Sequence, residues 1–437
     1  MAHLDLPFTR ETLDNGLTVI VHERREVPLV AVNVWYHVGS KNERAGLTGF
    51  AHLFEHLMFE GSAHHDTGYF GPLQDAGASL NGSTNADRTN YWETVPREAL
   101  DLALWLESDR MGHLLPALTE AKLANQRDVV LNERRQNYEN RPYGRAGFAL
   151  LGALHPPDHP YHWPTIGWPD DIAAARLEDV SAFFSHYYHP ANASIAIAGD
   201  VDTADVLARV DAYFGDIPAG PAVEHPSPPV PELAASTRLL LEDRVELPRV
   251  YLAWHSPALF KPGDAECDLL AEILGSGKTS RLYRRLVFDE RVATELIATQ
   301  ASREVGSMFQ VVATAAPGRH LREIVDIVDT ELEALATHGP TSDELERVKA
   351  QAEAAFVMRL QHVGGFGGRA DQLNAYFTYL GDPAAFGRDL ERYLSVTPAS
   401  VAAAARTLRE RHRVLLSVVP EGQPALALDG STPAEVI

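Results

Sequence analysis

Six prolines fall in the seventeen residues from Asp216 to Glu232, DIPAGPAVEHPSPPVPE, close to the middle of a 437-residue chain. Proline has no backbone N–H and holds φ near one value, so such a stretch is extended and stiff and continues neither a helix nor a sheet ladder. The chain is also longer than one hydrophobic core usually organises. The expected division is one domain over 1–216, a linker over 217–231 and a second domain over 232–437.

The two halves repeat a plan. Leu17–Ser40 reads as two strands rich in β-branched residues, and Thr237–Ala258 reads the same way. Leu177–Asp200 and Val396–Gly422 each read as a capped helix, a turn and an apolar strand. Strands mixed with long helices in each half predict an α+β chain. Its two homologous α/β sandwich (roll) domains would each be a mainly antiparallel sheet packed with helices.

Composition narrows the function classes. Hydrophobic residues at 45% and charged residues at 22% are globular proportions. No apolar run approaches the ~20 residues that span a bilayer, and the N-terminal stretch lacks the layout of a secretory signal. The expected compartment is cytoplasmic by default, or periplasmic if a leader has been removed. A formal net charge of −22 argues against nucleic-acid binding. The single cysteine, Cys267, excludes an intrachain disulfide and a Cys-rich zinc site. A metal here has to be held by His, Asp and Glu.

Such residues gather in TGFAHLFEHLMFEGS, Thr48–Ser62. Thr48 as N-cap and Gly61 as stop predict a helix of about three turns. On a helical wheel Phe50, Leu53, Phe54, Leu57 and Met58 share one side, and His52, Glu55 and His56 the other. Histidines four residues apart reach one ion from successive turns, and a carboxylate between them is placed to accept a proton. The order His-x-x-Glu-His is the inverzincin signature of zinc hydrolases. A catalytic zinc needs a third protein ligand, and position alone leaves His64, His65, Asp87, Glu93 and Glu133 open.

These motifs resemble the M16 peptidases, the group of pitrilysin, insulin-degrading enzyme and the mitochondrial processing peptidase, in their shorter, dimer-forming branch. The resemblance covers nearly the whole chain. It implies that the third ligand is Glu133, 77 residues beyond His56, in a stretch that reads as a long helix. One Zn2+ per chain would then be held by His52, His56 and Glu133, with Glu55 as general base. The resemblance also places Asn81, Gly82, Ser83 and Thr84, within GASLNGSTNADRTNYW, on an edge strand that pairs with an extended peptide. Gly82 stands where the family has alanine. Arg369 and Tyr376, seven residues apart in GGFGGRADQLNAYFTYLGDP, match the family's pair that approaches the substrate carbonyl. Where the family usually has a glutamate, seven residues before the ligand glutamate, this chain has Gln126, which can hydrogen-bond but brings no charge. The second half has no His-x-x-Glu-His and reads as a degenerate copy. Its LGSGKTS lacks the first P-loop glycine, where Glu272 stands.

The implied function is a zinc endopeptidase that hydrolyses unfolded peptides or small proteins inside a dimer's chamber. The dimer would be a homodimer or a heterodimer with a related M16 subunit, and Arg369 and Tyr376 would serve the other chain's site. The alternative is a non-catalytic or weakly active scaffold or metal-binding subunit of such a heterodimer. No nucleic acid and no membrane span is expected.

Overall fold

Runs of valine, isoleucine and leucine form the sheets of this chain, whose computed structural model describes residues 6–436. The first sheet holds β1 (Thr9–Thr12), β2 (Thr18–Glu23), β3 (Leu29–Tyr36), β4 (Ser79–Thr84), β5 (Thr89–Pro96) and β6 (Ala193–Gly199), in the order β1-β2-β6-β3-β5-β4. The second holds β7 (Thr237–Asp243), β8 (Arg249–Ser256), β9 (Ala293–Ala301), β10 (Ser307–Ala315), β11 (Val414–Pro420) and β12 (Thr432–Pro433), in the order β12-β7-β11-β8-β10-β9. From β2 in one and β7 in the other the two sheets are copies. Each begins with a parallel pair and continues with antiparallel pairs. The repeat seen in the sequence is thus a repeat of topology, and the α+β class is as expected. Residues 218–233 carry neither helix nor strand.

Five helices matter below: α1 (Phe50–Leu57), α2 (Leu100–His113), α3 (Glu120–Arg134), α4 (Ala146–Leu154) and α5 (Arg369–Leu380). Contacts group the chain into two compact units. One takes the chain up to Glu133 with Trp163–Pro226 and Ala355–Arg388; the other takes Arg134–His162, Ser227–Ala354 and the chain from Asp389 on. A single cut at the prolines does not describe this grouping, because one helix from each half packs on the sheet built from the other half. Helix α4, AGFALLGAL, is apolar on nearly every side, and its Ala149, Leu150 and Leu154 cluster with Ala253, Leu416 and Val418 of the second sheet.

Helix α5 is held on the first sheet by buried polar groups. Asp371 Oδ1 accepts from Trp35 Nε1 at 2.9 Å and from Asn90 Nδ2 at 3.0 Å. Asn374 donates to Asn33 Oδ1 at 2.8 Å and accepts from Ser194 Oγ at 2.8 Å. Each side chain covers the other's polar atoms, so the pairing is specific to this helix. Successive side chains of a strand point to opposite faces. Asn90 faces α5, whereas Tyr91, whose hydroxyl donates to Phe54 O at 3.2 Å, faces α1. Helices α1 and α5 therefore cover opposite faces of the first sheet.

Candidate metal centre

Helix α1 is shorter than the sequence suggested, and its N-terminus is capped differently. Gly49 takes the N-cap position with φ +87°, and Thr48 turns its hydroxyl to Asp171 Oδ2 at 2.7 Å. The free amides of Gly49 and Ala51 donate instead to the two oxygens of Glu43, each at 2.8 Å. A cap six and eight residues upstream leaves no trace in local spacing, which is why Thr48 looked like the cap. Burial pushes the Glu43 carboxyl well up, against the pull of those amides. Glycine is required at 49 for a second reason: a Cβ there would lie 2.9 Å from Gly167 Cα and 2.8 Å from Ile166 O. The apolar side of α1 is fully buried, from Phe50 through Leu53, Phe54 and Leu57, each side chain contributing about 1.5–3 kcal/mol. His52, Glu55 and His56 remain half-buried, on the opposite side of the wheel.

Glu133 comes to this pair from the last turn of α3, immediately before a π-helical segment over Arg135–Glu139. Its Oε2 lies 3.6 Å from His52 Nε2 and 3.3 Å from His56 Nε2. The two rings meet edge to face at 4.8 Å. Donors on one tetrahedral zinc ion, with bonds of about 2.0–2.1 Å, stand roughly 3.3 Å apart, so the set fits that ion. Burial, with His56 beside it, lowers the His52 pKa to about 4, which keeps that imidazole neutral as a ligand must be. His52 Nδ1 is buried without a partner among the described residues, which leaves Nε2 as the nitrogen engaged.

The other candidates for the third position stand outside this cluster. Asp87 pairs with Lys41 at 3.4 Å, Glu93 is fully buried on β5, His64 is bonded to Asp109, and His65 Nε2 lies 3.1 Å from Gly68 O.

Glu55 sits beside the triad with its pKa raised by burial; a hydrogen bond from Thr84 and the nearby His56 oppose the shift, and Glu133 adds to it. Thr84 ends β4, which lies at the edge of the first sheet, so the carboxylate stands beside the edge strand. On β4, Asn81 is exposed and its Oδ1 accepts from Gly82 N at 2.8 Å. Ser83 donates to Asn90 Oδ1 at 2.7 Å. A methyl at Gly82 would come within 3.1–3.2 Å of the Tyr91 and Phe59 rings, which fill the space an alanine needs. Gln126 donates to Glu60 Oε1 rather than to an imidazole. The negative charge absent at 126 is thus present next to it, on a residue that sequence reasoning passed over.

Arg369 and Tyr376 lie on α5. Arg369 is buried and donates from Nε to Leu360 O at 2.7 Å, while its Nη1 has no partner among the described residues. The Tyr376 ring packs edge-on to Phe386. Because α5 and α1 cover opposite faces of the sheet, this pair is not brought to the triad of its own chain.

The sheet is duplicated, a His2Glu set stands beside its first copy, and the chain belongs to the M16 peptidase family. Residues 18–147 match the description Insulinase (Peptidase family M16), and residues 174–352 match Peptidase M16 inactive domain. Among its relatives is the zinc protease PqqE of Helicobacter pylori, 32% identical over 355 residues that cover 80% of this chain and 79% of that one. An uncharacterized zinc protease of Streptomyces coelicolor is 27% identical over 94% of this chain and 89% of that one. The crystal structure of a protease from Helicobacter pylori superposes with a TM-score of 0.88 at 27% identity, covering 95% of this chain and 100% of that one. No described helix is long and apolar enough to cross a membrane.

Proposed function

We propose that this chain is a zinc-dependent endopeptidase that cleaves unfolded peptides or small proteins inside a chamber formed by a dimer. The observation that carries the reading is the meeting of His52, His56 and Glu133 with Glu55 at their side and an edge strand against Glu55. His52, His56 and Glu133 would hold one zinc at this centre, and a zinc so held supplies Lewis-acid polarisation and a nucleophile at neutral pH. The chain's own groups do the rest. A peptide pairs along β4, held extended by main-chain bonds, which leaves side-chain selectivity loose. Glu55 takes a proton from the attacking water, a step its raised pKa favours, and then delivers that proton to the departing amine. Arg369 and Tyr376 of a second chain would face the substrate carbonyl, and the unpartnered Arg369 Nη1 supports a role outside its own fold.

The test separates chemistry from metal retention. Glu55→Gln is expected to lower peptide cleavage by about 10²–10⁴-fold with zinc content unchanged. Glu133→Ala is expected to lose zinc from this centre. A zinc-loaded assembly that cleaves no peptide, with a related subunit supplied, would instead favour the scaffold reading. Loss of the centre's zinc on His64→Ala, but not on Glu133→Ala, would overturn the ligand assignment.

A further inference from the structure

Beyond α1 the chain builds a second cluster of metal-competent groups. Asp109 and His113 stand four residues apart near the end of α2, the same spacing as His52 and His56 on α1. His64, in the loop that follows α1, closes over them, and one donor atom from each of the three lies within 4.8 Å of the others. The His64 and His113 rings meet edge to face at 4.9 Å.

The carboxylate between the rings is oriented as a ligand's would be. Asp109 is buried, and its Oδ2 is occupied by the Ser62 hydroxyl and by His64 N at 3.2 Å. That leaves Oδ1 turned toward His64 Nδ1, at 2.5 Å. Fixing one carboxylate oxygen with outer hydrogen bonds is how proteins aim the other at an ion. The loop itself is held in place: Ala63 N donates to His113 O at 3.0 Å, and Asp66 pairs with Lys122 of α3. A His–Asp ion pair would need only one imidazole, whereas this arrangement supplies two.

We propose that His64, Asp109 and His113 form a second metal site, distinct from the triad, for a borderline transition dication such as zinc. Two imidazoles and one carboxylate suit Zn2+, Ni2+ or Cu2+ and disfavour the oxygen-seeking Ca2+ and Mg2+. Donors on one such ion stand roughly 3.3 Å apart, so the His64–Asp109 contact has to open by somewhat under 1 Å. The His64 side chain is 61% exposed, so its ring moves outward without disturbing packing. An ion there would staple the exit of α1 to α2, next to the loop's existing tie to α3. The inference does not depend on peptidase activity.

Metal-free protein titrated with Zn2+, and with Co2+ read by its visible absorption, tests the site. The unaltered chain is expected to bind about two equivalents, and His52→Ala/His56→Ala and His64→Ala/His113→Ala about one each. In the His52→Ala/His56→Ala background, Zn2+ should raise the melting temperature, and adding His64→Ala/His113→Ala should abolish the rise. Both added changes are at exposed side chains, so folding survives them. One equivalent in the unaltered chain, lost entirely with His52→Ala/His56→Ala, would overturn the proposal. So would residual binding in that background that ignores His64 and His113.

Discussion

At the residue scale, the Gln126 amide donates to the Glu60 carboxylate. With a glutamate at 126, the carboxylate at 60 would face a like charge; here an amide lets the two positions bond. Gln126→Glu is therefore expected to lower the melting temperature. Glu60→Gln should rescue it, with a coupling energy of about 1 kcal/mol in the double-mutant cycle. Additive effects of the two changes would contradict the contact. Glu60 is four residues past His56, and Gln126 is seven before Glu133. Both spacings were available in the sequence, but nothing local says that the two helical faces meet.

At the element scale, the position of α1 depends on a remote carboxylate. Glu43→Ala leaves the Gly49 and Ala51 amides buried without acceptors, so a loss of about 1–3 kcal/mol is expected in denaturant melts. Zinc affinity should fall with it, because α1 carries two of the three proposed ligands. Helix α4 is followed by another sensitive element. His155 packs against His159 at 4.7 Å and His255 at 5.2 Å, and His255 donates from Nε2 to Leu154 O at 2.9 Å. Burial, with His255 and His159 nearby, drives the His155 pKa down to about 2; those of His159 and His255 are lowered too. The unfolded chain takes up these protons near pH 6.5 while the folded chain refuses them, so acid favours unfolding. Stability should fall as pH drops below about 6.5, and His155→Gln should flatten the melting temperature's dependence on pH between 7 and 4.

At the scale of the whole molecule, α5 lies across the sheet from α1, so one chain does not assemble the triad and the Arg369–Tyr376 pair on itself. A dimer that completes the site in trans predicts complementation. Glu55→Gln and Arg369→Ala chains are each expected to be inactive alone. Mixed with subunit exchange, they should recover about a quarter of full activity, since half the dimers are mixed and each holds one intact site. No recovery, with mixed dimers demonstrated by mass, would argue against the trans arrangement.

Periodicity and turn chemistry are local, and the sequence by itself determined what depends on them. It marked the two halves, the strand pairs of each sheet, and the wheel that sets His52, Glu55 and His56 apart from the buried face of α1. Spacing left five residues open as partners for the two histidines. Only the tertiary structure brings Glu133 within 3.3 Å of His56 and leaves the others outside the cluster. It also replaced Thr48 by Glu43 as the cap, exchanged α4 and α5 between sheets, and gathered His64, Asp109 and His113. Each of these rests on two surfaces meeting from distant parts of the chain. Such meetings are set by which buried polar groups and apolar faces can satisfy one another, and a run of neighbouring residues carries no record of that.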